Sequence, residues 1–448
     1  DAQESRGLGD VYKRQEFVEA VENGGVAAME VLARDLRALG LYTARSLSYD
    51  GVEYELVEHQ LTPGQTRIYD AYASAFEVIH NHLDAAMQAA NITGSEGTLN
   101  RQAKSAARSA FESAKLRFFG HLLTSMKSPT LIRSIEQDLA DGHAAVIQIV
   151  STGEALMERR LAEIPTEEWN DVRADITPRE YVLGYLQHSF PVQLYEPFTD
   201  SEGNLSSRPV FRDGQPVESR EAVARRDDLI ERLASLEPVP GALDQIVQRF
   251  GTDMVAEVTG RSRRVVRKSG AAAMVDRLAV ENRAASANLA EAAAFMDDQK
   301  RILIFSDAGG TGRSYHADLA ARNQRLRIHY LLEPGWKADA AIQGLGRTNR
   351  TNQAQPPLFR PIATDVKAEK RFLSTIARRL DTLGAITRGQ RQTGGQGLFR
   401  PEDNLESPYA RDALRQLYLL LVRGKVEGCS LDRFETCLLY TSPSPRDS

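Results

Sequence analysis

The sequence has 448 residues, and its 56 Lys and Arg residues against 61 Asp and Glu residues leave a formal net charge of −5. Hydrophobic residues make up 42% of the chain and charged residues 26%, which is typical of a water-soluble protein with two or three domains. The longest uninterrupted apolar run, 417–422, is far shorter than the roughly 20 residues of a membrane-spanning helix. We therefore expect a cytoplasmic protein without a membrane span, and two cysteines exclude a disulfide scaffold.

The two ends of the chain are related to each other at the level of DNA. Back-translation of 5–15 and 437–447 gives one DNA sequence in opposite orientations, which is the pattern that ligated sequencing adapters leave. We therefore expect 1–15 and 437–448 to be adapter-derived, and 16–436 to be an internal part of a longer protein.

Hydrophobic spacing predicts the elements of the first half of the chain. In chain order they are a helix (16–39), two short strands (42–47 and 52–58), two or three antiparallel helices (67–127), a strand buried on both faces (143–151), a helix (153–161) and a polar insertion with a mobile loop (166–240).

The second half of the chain alternates strands with helices. Its predicted elements are a helix (243–250), a basic segment (260–268), strands (301–305 and 327–332), a helix (338–347), a strand (358–363), an amphipathic helix (367–383), a loop (389–404) and a last apolar helix (410–422). This alternation predicts an α/β fold, with a parallel sheet flanked by helices and interrupted by helical insertions.

A Gly-rich turn, 307–314, directly follows the predicted strand 301–305. The backbone N–H groups of such a turn can approach phosphate or ribose oxygens. The phosphate-binding pattern G-x-x-x-x-G-K-S/T is not met, because Asp307 replaces its first Gly and Arg313 replaces its Lys. For this segment taken alone, a tight turn without a ligand remains the alternative.

Further along the chain, 343–350 fits the pattern Q-x-x-G-R-x-x-R. Its two arginines, three residues apart at a predicted helix end, suit the insertion of guanidinium groups toward a polyphosphate on another domain. For an isolated R-x-x-R, a solvated basic helix end is the better interpretation. The order of strand, Gly-rich turn, strand, Trp336 and this pattern favours the functional interpretation.

The same order resembles motifs V and VI of superfamily-two helicases and DNA translocases, in their second RecA-like lobe, with 143–152 at the place of motif IV. More closely, segments between Gly25 and Arg391 resemble the strawberry notch family, among them SDAGGTGRSYHADLAARNQ and QGLGRTNRTNQ. The resemblance is to bacterial or mobile-element members rather than to animal ones.

The resemblance implies the second RecA-like lobe of an ATP-dependent, helicase-like motor. It implies that Arg347 and Arg350 are the arginine fingers, that Gln343 and Gly346 shape motif VI, and that Gly309, Gly310, Thr311 and Gly312 form the motif V turn that couples the nucleotide state to the nucleic acid. Ser314 stands where relatives often carry Asp or Asn, which weakens the case for a ribose contact there.

The resemblance also implies the cofactors and partners. ATP and Mg²⁺ would be bound mainly by a first lobe, of which this chain carries only the trailing part. The expected partners are that lobe of the same parent chain and nucleic acid, with DNA preferred. By itself the chain is expected not to hydrolyse ATP efficiently, because Mg²⁺ and the attacking water need the first lobe.

Two other functions stay open at this point. One is a non-catalytic scaffold or transcription co-regulator that keeps the shape of the lobe. The other is a small-molecule kinase with a degenerate P-loop, which Arg313 and the missing Gly disfavour.

The densest basic segment is 260–268. Its cations could contact phosphates rather than read bases, and they are Arg261, Arg263, Arg264, Arg267 and Lys268. The alternative is a solvated charged loop. The net charge of −5 gives no support for general binding of polyanions, so any footprint must be local. No spacing of His with Cys or carboxylates predicts a metal site.

These motifs predict how the chain is organised. The predicted segments are adapter-derived ends (1–15 and 437–448), the trailing part of the first lobe with a linker (16–60), a helical insertion (61–140), the start of the second lobe (141–165), an insertion with the basic segment (166–295), the core of the second lobe (296–390), and a loop with the C-terminal helix (391–436).

Overall fold

The structure, a computed structural model, describes residues 52–95, 97–162, 165–170, 177–201, 203–268, 277–284, 286–306, 312–335, 338–370, 373–374, 376 and 408–434. The chain divides into two compact units, Asp1–Ser48 and Tyr49–Ser448, and all described residues belong to the second. Several predictions lie outside the described residues, namely the helix at 16–39, the strand at 42–47, the loop at 389–404 and the adapter-derived ends.

The described strands include those of the main sheet and those of short hairpins. They are β1 (Glu53–Tyr54), β2 (Val57–His59), β3 (Thr93–Gly94), β4 (Gly97–Thr98), β5 (Ala144–Ile149), β6 (Tyr195–Thr199), β7 (Leu205–Pro209), β8 (Phe211–Arg212), β9 (Gln215–Pro216), β10 (Val255–Val258), β11 (Arg263–Lys268), β12 (Arg277–Asn282), β13 (Ile302–Ser306), β14 (Arg327–Leu331) and β15 (Leu358–Thr364).

The described helices range from one long helix to several of two or three turns. They are α1 (Pro63–Ala89), α2 (Arg101–Ala140), α3 (Glu154–Ala162), α4 (Arg179–His188), α5 (Arg220–Ala234), α6 (Ala242–Phe250), α7 (Ala287–Met296), α8 (Ala338–Leu345) and α9 (Pro408–Val422), with a 3₁₀ helix at Thr166–Asn170. Within the described ranges, no helix combines the length and apolarity that crossing a membrane requires.

The main sheet has seven strands in the order β1-β15-β14-β5-β13-β10, and all of its pairs are parallel. The seventh strand, β2, continues β1 along the edge of β15 in the same register, since Tyr54 pairs with Phe359 and Val57 with Ile362. The prediction of an α/β fold with a parallel sheet flanked by helices is confirmed. The strand β10 was not predicted, because four residues are too few to show a period.

Both faces of the sheet are covered. One face packs alternate residues of β5, β13 and β14, such as Ile147, against the second half of α2 and against α6. The other face packs Val146 and Phe305 against α7 and Tyr315. Strands buried on both faces form continuous apolar runs, and for this reason the sequence alone reveals the central strands.

The long helix α2 belongs to two hydrophobic cores. Its first half packs with α1, α4 and α5 in a helical core that contains Phe76, Phe111 and Phe118. Its second half packs on the sheet through Leu131 and Ile135. A helix of 40 residues is about 60 Å long, so one element connects the helical core to the sheet.

The region predicted as a polar insertion with a mobile loop is more regular than expected. It contains α4, α5 and two small hairpins, β6–β7 and β8–β9. Most residues of these hairpins are exposed, so the strands lack the apolar alternation by which half-buried strands are recognised.

A buried ion pair attaches α2 to the end of β15. Lys127, with 0% of its surface exposed, donates to the carbonyl of Ile362 (2.9 Å) and to the carboxylate of Glu369. The other carboxylate oxygen accepts hydrogen bonds from the backbone N–H (2.7 Å) and hydroxyl (2.6 Å) of Thr364. Burial by itself would raise the pKa of Glu369, but Lys127 and these hydrogen bonds outweigh it and lower the pKa.

Replacing only one partner of this pair should be more harmful than replacing both. Lys127→Met leaves the Glu369 carboxylate buried without its cation, which should lower the free energy of unfolding by about 3–5 kcal/mol. Lys127→Met/Glu369→Gln removes both charges and keeps acceptors for Thr364, so its loss should be smaller. Denaturant unfolding measures both, and a double variant as unstable as the single one would contradict this account.

Candidate functional site

The carboxyl ends of the central parallel strands meet at one edge of the sheet. Ligands of open α/β sheets bind at this edge, in the crevice outside the strand ends. Here β5, β13 and β14 are followed by 150–153, by the Gly-rich turn and by 332–335. Within the turn, 307–311 lies outside the described residues, so the predicted roles of Gly309, Gly310 and Thr311 stay predictions. Gly312 has a φ of +77° and open space beside its Cα.

The loops after β5 and β14 are joined to each other. One carboxylate oxygen of Glu333 accepts hydrogen bonds from the backbone N–H groups of Val150 (3.0 Å) and Ser151 (2.9 Å). Beside them is a cavity that Ser151 and Thr177 line, and the Thr177 hydroxyl has no hydrogen-bond partner among the described residues. This edge therefore has polar groups where the sequence placed motif IV.

The structure brings the two predicted arginines against the segment that follows the Gly-rich turn. The backbone N–H of Tyr315 donates to the carbonyl of Arg347 (2.6 Å), and Nη1 of Arg347 donates to the carbonyl of Arg313 (2.9 Å). Nε of Arg350 donates to Oγ of Ser314 (3.2 Å). Motifs far apart in sequence thus form one cluster.

The two other predicted residues of this motif differ in exposure. Gln343 lies on the exposed side of α8, whereas Gly346 is buried just after the helix ends. Gln343 is therefore accessible to a ligand, while Gly346 is not.

Within the part of the chain that the structure describes, the arginines of this cluster have no carboxylate partner. Among the described residues, no Asp or Glu forms an ion pair with Arg313, Arg347 or Arg350. The side-chain hydrogen bonds of these arginines go to uncharged oxygens. Nε of Arg347 is buried without a hydrogen-bond partner, and its guanidinium lies 5.8 Å from the ring centre of Phe305. Three half-buried cations are thus available to an anion.

Arg313 was not predicted as a member of this cluster. Its Nη1 donates to the carbonyl of Asn288 (2.8 Å), which holds it beside the turn. Its position directly after Gly312 could have indicated that it lies beside the turn. In the P-loop pattern, however, Arg313 stands in the place of a Lys and counts only as a mismatch.

A buried polar chain beneath α8 was also missed. Oε1 of Gln148 lies 3.2 Å from Nε2 of His329, and Nδ1 of His329 lies 2.7 Å from Oγ1 of Thr348. The Gln148 amide also donates to the carbonyl of Ala341 (3.3 Å) and lies against Gly344, which leaves no room for a Cβ there. Single polar residues inside apolar strands give no periodic signal, so sequence reasoning could not group them.

The ring of His329 is enclosed and uncharged. It contacts Phe305 and Phe359 edge-on, at centroid distances of 5.8 and 5.5 Å. Burial lowers its pKa to about 3, because the interior disfavours the charged imidazolium. His329 therefore stays neutral at physiological pH, and one of its ring nitrogens must accept a hydrogen bond.

The structure corrects the prediction of phosphate contacts for Arg261 and Arg264. Both are buried, and Arg261 donates to Glu257 (2.6 and 3.1 Å) and to Asp244 (2.9 Å). Arg264 donates to Glu281 (2.8 Å). These two arginines neutralise carboxylates inside the protein, which removes them from contact with a phosphate.

The other cations of the basic segment lie on the β11–β12 hairpin. Arg263 is partly exposed, but it pairs with Glu158 and lies 5.0 Å from the ring centre of Trp169. Arg267 and Lys268 are the last two residues of β11. Their predicted contact with nucleic acid stays a prediction.

Comparisons with known proteins point to one family. Residues 241–443 match a family model described as the C-terminal domain on strawberry notch homologue, and residues 9–71 match one described as P-loop containing NTP hydrolase pore-1. The chain is 28% identical to Protein FORGETTER 1 of Arabidopsis thaliana, over 94% of this chain and 41% of that protein.

Animal relatives are similar to nearly the same extent. Identity is 30% to strawberry notch homolog 1 of Rattus norvegicus, over 89% of this chain and 36% of that protein. It is 30% to strawberry notch homolog 2 of Homo sapiens, over 89% of this chain and 34% of that protein. The chain thus spans between 34% and 41% of the length of these curated relatives. The bacterial or mobile-element type stays a prediction.

A side chain at position 344 should disturb the polar chain. In Gly344→Ala the added Cβ would overlap the side-chain amide of the buried Gln148, which must move and lose its bond to His329. We expect a loss of about 1–3 kcal/mol in the free energy of unfolding. Gly120→Ala in α2, where a Cβ meets nothing within 4 Å, is the control and should be neutral or stabilising. Equal losses in the two variants would contradict the contact.

The buried His329 should make stability depend on pH. Its pKa is about 3 in the folded protein but about 6.5 when unfolded, so only the unfolded state gains this proton as the pH falls between these values. The contribution of His329 to stability is therefore complete above about pH 6.5 and is lost on acidification. From pH 7 to 5.5, unfolding experiments should show a loss about 1 kcal/mol larger in the wild type than in His329→Gln. Identical pH dependence in both proteins would show that His329 is not buried as a neutral group.

Proposed function

Since this chain belongs to the strawberry notch family, we propose that its sheet domain is the second, C-terminal lobe of an ATP-driven, helicase-like nucleic-acid motor. In this proposal the phosphates of ATP, bound by a preceding first lobe, face Arg347 and Arg350. The match of residues 9–71 to a P-loop NTP hydrolase model supports a neighbouring nucleotide-binding lobe.

The observation that carries the proposal is that two sets of arginines have different hydrogen-bond partners. Arg261 and Arg264 are buried against carboxylates, whereas Arg347 and Arg350 are held in place by uncharged oxygens. A half-buried cation without a carboxylate partner loses part of its hydration, and the rest of the fold must offset this cost. Such a cation suits a site where negative charge develops during phosphoryl transfer.

ATP and Mg²⁺ fit this arrangement in different ways. The free guanidinium donors suit the oxygens of a triphosphate, and Arg313 would add a third cation at the same edge. No group of three or more His, Cys, Asp or Glu side chains in the described ranges could hold a metal ion. In the proposal Mg²⁺ is therefore held mainly by the first lobe and by ATP.

The nucleic-acid part of the proposal has separate support. The far end of the β11–β12 hairpin carries Arg267 and Lys268, and Arg277 lies opposite Lys268 in the register. We propose that this end of the hairpin contacts DNA through its phosphates.

The proposal predicts the effect of removing one arginine from the full-length protein that contains this chain. Arg347→Ala should lower kcat of DNA-stimulated ATP hydrolysis by roughly 10³-fold, the lower end of what an arginine finger contributes. KM for ATP should change much less, because most ground-state contacts to ATP belong to the first lobe. The measurement is steady-state ATPase activity with and without DNA.

Arg322→Ala provides the matched control. Arg322 is an exposed arginine of the same lobe, outside the cluster, and its replacement should leave both constants unchanged. Unchanged turnover in Arg347→Ala would refute the assigned role. A full-length protein without any ATPase activity would favour the scaffold interpretation.

A further inference from the structure

The buried polar chain of Gln148, His329 and Thr348 ends next to Arg347. Gln148 lies on β5, His329 lies on β14, and Thr348 directly follows Arg347 in motif VI. We propose that these three are positioning residues that hold Arg347 in the geometry needed for ATP hydrolysis. This inference rests on the proposed function of Arg347 and gives a role to three residues to which the motif comparison assigned none.

Each hydrogen bond of the buried polar chain has a definite donor and a definite acceptor. The Gln148 amide nitrogen donates to the carbonyl of Ala341, so its oxygen is the atom that faces His329. Neutral His329 then carries its proton on Nε2 and donates to Gln148, which leaves Nδ1 as an acceptor. The Thr348 hydroxyl must therefore donate to Nδ1 (2.7 Å) rather than to the carbonyl of Leu345, which lies farther away at 3.2 Å. The shorter bond gives the Thr348 side chain one preferred orientation.

Arg347 is held from two sides. On one side Thr348 ties the turn after α8 to the sheet through His329. On the other side the carbonyl of Arg347 accepts from Tyr315 (2.6 Å), and its guanidinium donates to Arg313 (2.9 Å). If the Thr348 hydroxyl is removed, the side-chain link from this turn to the sheet through His329 is lost, while the contacts to Tyr315 and Arg313 remain.

The aromatic ring of Phe305 joins the two parts of this arrangement. Its centre lies 5.8 Å from that of the His329 ring and 5.8 Å from the Arg347 guanidinium. Because burial keeps His329 uncharged, the imidazole does not repel the arginine on the same ring. Buried polar groups are costly unless satisfied, and a satisfied chain fixes one arrangement where an apolar contact would allow several.

The test is Thr348→Val in the full-length protein, which keeps the shape of the side chain and removes its hydroxyl. We expect kcat for ATP to fall about 10-fold with KM changed less than about 2-fold, because misplacing a catalytic group mainly affects the chemical step. Thr348→Ser keeps the hydroxyl and should restore most of the activity. His329→Phe removes the acceptor and should match Thr348→Val.

Ser128→Ala is the matched control. Ser128 is also buried, and its hydroxyl donates to the carbonyl of Thr124 (3.0 Å) in α2, outside both the arginine cluster and the cavity beside Ser151. It should leave kcat unchanged, and thermal unfolding of all variants shows whether any loss comes from unfolding.

A double-mutant cycle separates positioning from a merely structural role. In an Arg347→Ala background, single-turnover assays should show that Thr348→Val has almost no further effect, because its action passes through Arg347. An equal effect of Thr348→Val in both backgrounds, or no effect in either, would overturn this inference and leave the proposed function standing. Normal turnover in Arg347→Ala alone would overturn both.

Discussion

The burial of both faces of the parallel sheet is the constraint on which the rest of this structure depends. α2 and α6 cover one face, while α7 and the segment around Tyr315 cover the other. Because parallel strands need this double cover, access to the central strands is confined to their ends. The long helix α2 adds a second core to the same framework, and the buried Lys127–Glu369 pair attaches it to β15.

Within this framework the protein uses arginine in two ways. Around the β11–β12 hairpin, Arg261 and Arg264 are buried and their charges are balanced by Glu257, Asp244 and Glu281. A guanidinium paired in this way holds elements together and offers nothing to a ligand. At the ends of β13 and β14 the arginines contact only uncharged oxygens in the described structure, and their charge stays available. Both sets are basic clusters in the sequence. They differ in the groups that their guanidiniums contact, which are carboxylates for the first set and uncharged oxygens for the second.

The Gln148–His329–Thr348 chain shows how an apolar sheet can orient a polar motif. Its central histidine is kept neutral by burial, and its two ends lie on β5 and in the turn that carries Arg347. Gly344 allows α8 to approach Gln148 closely enough for this contact. The geometry of the arginine cluster therefore depends on residues inside the sheet as well as on the motif itself.

The sequence by itself determined the parallel sheet, its central strands and the order of the motifs, because buried strands and glycine-rich turns leave local patterns. It also singled out Arg347 and Arg350, which the structure brings beside Arg313 and Ser314 and whose role stays a prediction. Only the tertiary structure decided which cations are neutralised, and that Arg261 and Arg264 of the basic segment are buried. It alone brought Gln148, His329 and Thr348 together. Charge pairing and buried hydrogen bonds join residues far apart along the chain, and no local pattern records which of them will meet.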